Sequence, residues 1–314
     1  MTCAQVGCGG GAGAGRPPLT KRAFTPVFGG LWEGDACALP RRVQYLPPPN
    51  TEETRMDLGI AGRKAIVCAS SRGLGRACAF RLAEAGCEVV VNGLDPARLE
   101  QTAAEIRAKT GAEVHAVAAN VATKEGQDAL FKACPEPDIL IGNNAGPPFR
   151  DFRELDREKM IAGVIGNFIA PVELIQRAIE PMTKKKFGRI VNITSGSVKM
   201  PLVGLDLSSG ARAGLTAFLA GVARSVAQHN ITINFVLPGQ FLTDRLRSNN
   251  ELTAKKAGVP VEQIETQKKN AIPAKRFGDP DEFGAASAFL CSSQAGFITG
   301  QNLLIDGGIF PGAF

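Results

Sequence analysis

The chain has 314 residues, a formal net charge of +6, and 44% hydrophobic against 21% charged residues. These values fit a soluble globular protein with an ample core, and no apolar run reaches the roughly 20 residues that a membrane helix needs. The basic residues are interleaved with acids and accompany no recognisable binding module, so neither a nucleic-acid nor a membrane partner is expected.

Metal chemistry is also not expected. The chain has eight cysteines and two histidines, and the cysteine spacings match no CxxC pair and no zinc pattern. We interpret the cysteines as reduced, mostly buried thiols of a cytoplasmic protein.

Residues 1–55 differ from the rest of the chain. They include the Gly/Pro-rich stretches GCGGGAGAGRPP and LPPPN and the single tyrosine, Tyr45. Such a segment buries too little apolar surface to offset its ordering entropy. Its acids and prolines argue against a targeting helix, although several arginines precede Met56. We predict a disordered extension, or a stretch upstream of the true start, with Met56 as a natural beginning of the folded part.

From Met56 onward, apolar runs alternate with helical stretches at the spacing of parallel βαβ units. Seven runs predict strands, at 64–70, 88–93, 113–120, 138–146, 189–195, 232–239 and 302–308. Their near-continuous Val and Ile content is typical of strands covered on both faces. The pattern predicts one α/β domain over 56–314, a doubly wound Rossmann fold with a seven-stranded parallel sheet and helices on both faces. Without a second domain, cofactor and substrate must meet at the carboxyl edge of this one sheet.

The turn after the first strand reads Ala69-Ser70-Ser71-Arg72-Gly73-Leu74-Gly75 and opens a helix. Small residues let a backbone approach a pyrophosphate, and a helix N-terminus offers unpaired N–H groups. A Gly-x-Gly turn can also serve packing alone, but its position at the first βα turn favours dinucleotide binding.

Three further strand ends carry polar or turn residues at the same edge: Asn143-Asn144-Ala145-Gly146, Ser195, and Pro238-Gly239. Together with Gly73-x-Gly75, they make residues 56–314 resemble the short-chain dehydrogenase/reductase family. The closing segments Phe297-Ile298-Thr299-Gly300 and Asp306-Gly307-Gly308 are also similar to that family. The resemblance implies a nicotinamide cofactor and a catalytic set of Asn, Ser, Tyr and Lys.

The catalytic set is incomplete in this chain. Asn167 matches the asparagine that orders a proton-relay water, and Ser195 matches the serine that hydrogen-bonds the substrate carbonyl. The positions of the tyrosine and lysine hold Ser208 and Arg212. A serine hydroxyl is a far poorer proton donor than a phenol, and an arginine stays charged but does not shuttle protons. The pair is either a remnant of a lost site or a repurposed one, and Asp206 is a nearby candidate acid.

Dienoyl-CoA-type reductases of the same family similarly carry a serine in place of the tyrosine, although they keep the lysine. Other members that resemble this chain are 3-oxoacyl-carrier-protein reductases. We therefore expect an NADPH-dependent reductase of a carbonyl or an activated C=C bond, with a small-molecule substrate that could be an acyl thioester. The alternative is a nucleotide-binding sensor or scaffold with little turnover.

The residues for cofactor binding follow from the same resemblance. Arg72 matches the basic residue beside a 2′-phosphate, and no acid follows the second strand at Asn92-Gly93-Leu94, so NADP is favoured over NAD. Asp95 comes later and reads as a helix N-cap. Asn120 matches an adenine contact but fits a strand-end turn equally well. The predicted contacts are Ser70, Ser71, Arg72, Gly73, Leu74, Gly75, Asn120, Val121, Asn144, Ala145, Gly146, Arg212, Pro238 and Gly239.

Residues 240–275 interrupt the βα rhythm at the ligand edge, as a lid does. Leu242, Leu246 and Leu252 could line an acyl pocket there or serve ordinary lid packing. The long helices predicted at 158–186 and 207–228 are where relatives pair subunits, so the resemblance implies a homo-oligomer, a tetramer or a dimer.

Overall fold

The computed structural model describes residues 56–313 and contains the seven predicted strands. They run at Lys64–Val67 (β1), Glu88–Gly93 (β2), Val114–Ala118 (β3), Ile139–Gly142 (β4), Gly188–Ile193 (β5), Ile231–Pro238 (β6) and Asn302–Ile305 (β7). Every pair is parallel, in the order β3-β2-β1-β4-β5-β6-β7. The predicted fold class is therefore confirmed. The extension at 1–55, including Tyr45, lies outside the described residues.

Nine α-helices connect and cover the strands in this part of the chain. Their bounds are Gly73–Glu84 (α1), Pro96–Thr110 (α2), Lys124–Ala133 (α3), Arg157–Val164 (α4), Ala170–Lys185 (α5), Asp206–Val226 (α6), Asp244–Ala257 (α7), Val261–Ala271 (α8) and Pro280–Leu290 (α9). A π-helical segment at Ile165–Ile169 joins α4 to α5. None of the described helices is long and apolar enough to cross a membrane.

The strands bury alternate residues on opposite faces because successive side chains of a strand point to opposite sides. Ala65 and Val67 join a core built with helices α1, α2 and α9. Ile66 and Cys68 join a second core built with α3, α5 and α6. Continuous apolar runs in the sequence thus reflect a sheet with a core on each face.

Helix ends follow local chemistry that the sequence displays. The Asp95 side chain caps α2 by accepting from the backbone N–H groups of Ala97 and Arg98, which confirms the cap interpretation. Helix α5 ends within the basic run Lys184-Lys185-Lys186, at Lys185, with Lys186 in the left-handed conformation. The five described cysteines are buried free thiols, as predicted. Burial raises the pKa of both Cys68 and Cys78 to about 12.

From β1, the strands β2 and β3 follow toward one edge of the sheet, whereas β4 to β7 follow toward the other edge. The direction in which strands are added therefore switches between β1 and β4. Such a switch point opens a crevice at the carboxyl ends of the two strands. The turn at 68–75 and the loop from Asn143 to Gly146 border this crevice. The lid region at 240–275 folds as two helices, α7 and α8, with a β-bridge between Phe241 and Gly278 at its base.

Candidate active site

The N-terminus of α1 is open to a ligand. Arg72 occupies its N-cap with extended backbone, and no side chain caps the helix. Side chains cap α2, α3, α4, α7 and α9, whereas α5, α6 and α8 share the missing cap of α1. Among the uncapped helices, α1 is the one that follows the turn after β1. Uncapped N–H groups carry the positive end of the helix dipole, so this turn fits a dinucleotide pyrophosphate.

Gly75 closes this turn tightly. A Cβ at residue 75 would stand 2.4 Å from the Ala69 carbonyl oxygen and 3.0 Å from the Nδ2 of Asn143. The same Asn143 amide donates to the Ala69 carbonyl at 3.2 Å, and Ala69 has a positive φ of 45°. A hydrogen bond therefore joins the end of β4 to the turn at residues 68–75, which we call the cofactor turn after its predicted role. Only glycine fits between the two segments.

Asn92, near the end of β2, holds this turn in place, a role that the sequence did not reveal. Its Oδ1 accepts from the Ala69 N–H at 3.1 Å, and its Nδ2 donates to the carbonyls of Val117 and Ala119. The Asn92 backbone N–H donates to the Ser70 hydroxyl at 2.9 Å. One buried amide thus joins the carboxyl ends of β1, β2 and β3. Ser70 is buried, its hydroxyl donates to the Val67 carbonyl at 2.7 Å, and its backbone N–H donates to the Asn92 carbonyl at 2.7 Å. The structure therefore leaves no open donor of Ser70 for the predicted cofactor contact.

The remaining predicted cofactor contacts lie at the same edge. Arg72 and Leu94 are exposed, and the Asn120 side chain accepts from the Ala122 N–H at 3.0 Å, as its turn interpretation expects. The Asn144 amide donates to the Gly166 carbonyl at 2.8 Å, which ties the loop after β4 to the π-helical segment. The assignment of these residues to cofactor binding stays a prediction, and so do the assignments of Ser71, Val121, Ala145, Pro238 and Gly239.

Ser208 and Arg212 form one cluster on α6. The Arg212 guanidinium donates from Nη1 to the Ile193 carbonyl at 2.8 Å, from Nη2 to the Asn144 carbonyl at 3.3 Å, and from Nε to the Ser208 hydroxyl at 3.4 Å. Both side chains are buried. Burial first, and then the charge of Arg245, lower the pKa of Arg212 to about 10. Arg212 therefore remains a cation at neutral pH, held at the carboxyl end of β5.

Asn167 lies at the centre of the π-helical segment and donates from Nδ2 to the Gly163 carbonyl at 3.1 Å. Its buried Oδ1 has no hydrogen-bond partner among residues 56–313, and the same holds for the Nδ2 of Asn192. Both residues and Arg212 line a cavity of about 10 Å³, close to the volume that one water requires. This arrangement fits the water-ordering role that the resemblance implies for Asn167, which stays a prediction. π-Bulges are frequent at functional sites, although no local pattern distinguished this one from a continuous helix.

Ser195 follows β5 and caps a short 3₁₀ turn, where its Oγ accepts from the Ser197 N–H at 3.1 Å. Since the hydroxyl acts there as an acceptor, its own proton is free to donate. Ser195 lies two residues beyond Ile193, whose carbonyl binds Arg212. The predicted set of Asn167, Ser195, Ser208 and Arg212 therefore borders one edge of the sheet.

A cavity of about 270 Å³ opens beside this cluster. Ser208 and Asn167 line it together with Pro147, Pro148, Arg150, Leu155, Lys159, Ala162, Gly163, Gly204, Leu205 and Leu207. The hypothesis that Leu242, Leu246 and Leu252 line an acyl pocket is wrong for this cavity, because its walls come from the loop after β4, from α4 and from the start of α6. Asp206 is exposed, accepts from the Gly204 N–H at 3.2 Å and does not line the cavity, so its candidacy as an acid finds no support.

Comparison with known proteins agrees with this geometry. A family model described as enoyl-(acyl carrier protein) reductase matches residues 68–309. The 3-oxoacyl-[acyl-carrier-protein] reductase of Aquifex aeolicus is 34% identical over 264 residues, which cover 81% of this chain and 100% of that protein. The NADPH-dependent reductase BacG of Bacillus subtilis is 32% identical over 254 residues, covering 79% of this chain and 98% of its own.

The fold is also similar to that of a solved structure. The L-sorbose reductase of Gluconobacter frateurii, crystallised with NADPH and L-sorbose, superposes with a TM-score of 0.78 at 29% identity. The match covers 82% of this chain and 100% of that one. At this coverage the likeness includes the sheet, the turn at 68–75 and helices α7 and α8.

Proposed function

The chain belongs to the short-chain dehydrogenase/reductase family of oxidoreductases, and on that basis we propose that it is an NADPH-dependent reductase. Its substrate carries a carbonyl of the 3-oxoacyl type or an activated C=C bond. The observation that carries the proposal is a convergence at one sheet edge. The uncapped N-terminus of α1 lies there with the cluster of Asn167, Ser208 and Arg212.

NADPH is proposed over NADH because of the charges around the cofactor turn. Arg72 is exposed at the N-cap of α1, where it can face a 2′-phosphate. The end of β2 offers Asn92, which is buried and fully engaged, and Leu94, which is exposed, so no acid stands ready for a ribose diol. Relatives named as NADPH-dependent support the same choice.

The catalytic roles follow from charge and proton supply. Bound NADPH supplies the hydride. The Ser195 O–H is free to hydrogen-bond the substrate oxygen, and the fixed positive charge of Arg212 stabilises negative charge that develops nearby. Asn167 holds the ordered water that passes a proton, while Ser208 fixes the Arg212 guanidinium through its hydroxyl.

The two candidate reactions make different demands on this site. Carbonyl reduction leaves an alkoxide, a strong base that a phenol would normally protonate. Reduction of an α,β-unsaturated thioester leaves an enolate, which is less basic and takes its proton at carbon. A site with a cation and no phenol among residues 56–313 is therefore better suited to the C=C bond.

We expect NADPH, titrated by its fluorescence, to bind at least tenfold more tightly than NADH, since charge-assisted bonds to a phosphate contribute about 1.5–3 kcal/mol.

We also expect NADPH oxidation to be faster with an enoyl thioester than with a 3-oxoacyl thioester of the same chain length. Binding of NADPH without oxidation in the presence of either thioester would instead identify a nucleotide-binding protein with little turnover. Failure to bind NADPH would contradict both the proposed reductase and the alternative of a nucleotide-binding protein.

We further propose that the enzyme is a homo-oligomer, a dimer or tetramer. Ile161 on α4, Ile169 on the π-helical segment and Phe218 on α6 are exposed apolar side chains. The three segments pack against one another, and exposed apolar side chains on neighbouring segments are typical of interaction sites. Light scattering should give a mass that is a multiple of 33.0 kDa. Phe218→Asp should shift the enzyme toward the monomer, and a wild-type mass of one chain would contradict the proposal.

A further inference from the structure

The cavity of about 270 Å³ has a buried end and an exposed end. Asn167 and Ser208, which are 4% and 6% exposed, line its buried end. Arg150, from the loop after β4, also lines the cavity and is exposed. The cavity therefore extends from two of the predicted catalytic residues to an arginine at the protein surface.

Much of the remaining wall is apolar. Pro147, Pro148, Leu155 and Leu207 all line the cavity, and burial of apolar surface against such side chains is favourable. A substrate that fills this space has its reducible bond beside Ser208, an apolar linker along the wall, and a second end that reaches residue 150.

The backbone of Arg150 is fixed at the cavity. Its N–H donates to the Gly204 carbonyl at 3.0 Å, and Gly204 belongs to the same lining. This hydrogen bond joins the loop after β4 to the segment that precedes α6. Arg150 therefore stands at a defined place on the cavity wall and not on a separate loop.

The charges that line the cavity are not balanced. Arg150 and Lys159 line it, whereas no acid does. Lys159 forms an ion pair with Asp156, but the Arg150 side chain makes no hydrogen bond or ion pair with any of residues 56–313. An unpaired cation beside apolar walls attracts an anion.

The acid next to Arg150 in the sequence is already engaged. Asp151 pairs with Arg153 at 3.1 Å, and the Arg153 guanidinium also lies over the Phe152 ring, 4.7 Å from its centroid. Neither Asp151 nor Arg153 lines the cavity. The loop after β4 thus pairs its outer arginine and leaves the arginine of the cavity wall available to a ligand.

We propose that Arg150 binds a carboxylate at the far end of the substrate, so that the enzyme reduces an oxo acid or an unsaturated acid whose carboxylate and reducible bond are separated by an apolar linker. This inference rests on the proposed reductase function and specifies its substrate class. A carboxylate carries one negative charge and matches the one unpaired cation among the described lining residues. The planar guanidinium fork also donates two parallel hydrogen bonds to a carboxylate. Arg150 is then a specificity-determining residue that the family-based set does not contain.

The test compares 5-oxohexanoate with 5-oxohexanamide, which share a ketone and an apolar linker and differ in charge. Isothermal titration is run on the full chain, both without cofactor and with saturating NADP⁺. We expect 5-oxohexanoate to bind about tenfold more tightly under both conditions, because hydrogen bonds to a charged group are stronger than neutral ones.

Variants assign this preference to one side chain. Arg150→Gln should remove most of it, and Arg150→Lys should retain part of it because the positive charge remains. Arg157→Gln is the matched control and should leave the preference unchanged. Arg157 begins α4, is exposed, pairs with no acid among residues 56–313 and does not line the cavity.

Three outcomes would overturn the proposal. The first is equal affinity for 5-oxohexanoate and 5-oxohexanamide, and the second is a preference that survives Arg150→Gln or is lost equally in Arg157→Gln. The third is hexyl phosphate binding about tenfold more tightly than hexanoate in an Arg150-dependent manner, which would identify the anion as a phosphate. Titrations without cofactor need neither NADPH binding nor turnover, so failure of the carboxylate site can be distinguished from failure of the proposed reductase function.

Discussion

Replacing Gly75 with alanine should weaken NADPH binding about a hundredfold, the loss expected when one or two charge-assisted hydrogen bonds to a phosphate are misplaced. The added methyl group would stand 2.4 Å from the Ala69 carbonyl oxygen, a distance that forces the β1–α1 turn apart. Since Asn143 donates to the same carbonyl, the displacement would also reach the loop after β4. Overpacking of this kind costs about 1–3 kcal/mol of folding free energy. Fluorescence titration and thermal melting measure the two effects.

Gly284→Ala provides the matched control for Gly75→Ala. A Cβ at residue 284, on α9, would stand 2.6 Å from the Ala77 carbonyl oxygen. Both variants therefore place a methyl group against a backbone carbonyl near α1, but only one does so in the cofactor turn. Both should lower the melting temperature, and Gly284→Ala should keep its NADPH affinity. A Gly75→Ala variant that binds NADPH within about threefold of wild type would contradict the assignment of this turn to the pyrophosphate.

The double variant Ser208→Tyr/Arg212→Lys should raise carbonyl reduction by on the order of 10²-fold, the lower range for a positioned general acid. Ser208 lines the cavity of about 270 Å³, so the introduced ring has space on the substrate side. A phenol has an ordinary pKa of about 10, and the introduced ammonium would lower it. Because the donor must be protonated, the gained activity should be present below this pKa and be lost as the pH rises through it. Steady-state rates with a 3-oxoacyl thioester between neutral and alkaline pH measure both features.

Single variants separate the contributions in that experiment. Arg212→Lys alone supplies no acid and should not raise carbonyl reduction, whereas Ser208→Tyr alone should recover part of the gain beside the native cation. If the double variant reduces carbonyls more slowly than wild type, the native Ser208/Arg212 pair serves a different reaction and is not a degraded version of the family's set.

The sheet could be predicted from the sequence because its signals are local. Apolar runs such as Val89–Val91 and the cap at Asp95 specify a strand and a helix start within a few residues. The strand ends were overestimated, as at 138–146, where the strand stops at Gly142 and the remaining residues form the ligand-side loop.

Within the candidate site, only the residues at the family's motif positions could be predicted from the sequence. Asn167, Ser208 and Arg212 were predicted from those positions, and their catalytic roles stay predictions. The approach of Arg245 to Arg212, which helps to lower the pKa of Arg212, had no signal because it depends on how α7 packs. The sequence left Leu242, Leu246 and Leu252 open between an acyl pocket and ordinary packing, because an apolar pattern does not say which surface it covers. The cavity is instead bounded by Leu155 and Leu207, which are distant in sequence and adjacent only in the fold.

The position of Asn92 limits how this enzyme can change its coenzyme. Asn92 lies within β2, one residue before the strand ends at Gly93, and its buried side chain holds three strand ends together through Ala69, Val117 and Ala119. An acid that selects a free ribose diol is expected near this end of the strand. A carboxylate at residue 92 would face two carbonyl oxygens and lose both donated hydrogen bonds. A lineage that shifted toward NADH would therefore have to place its acid at a free neighbour such as Leu94. Coenzyme preference and the rigidity of the cofactor turn thus cannot evolve independently at residue 92.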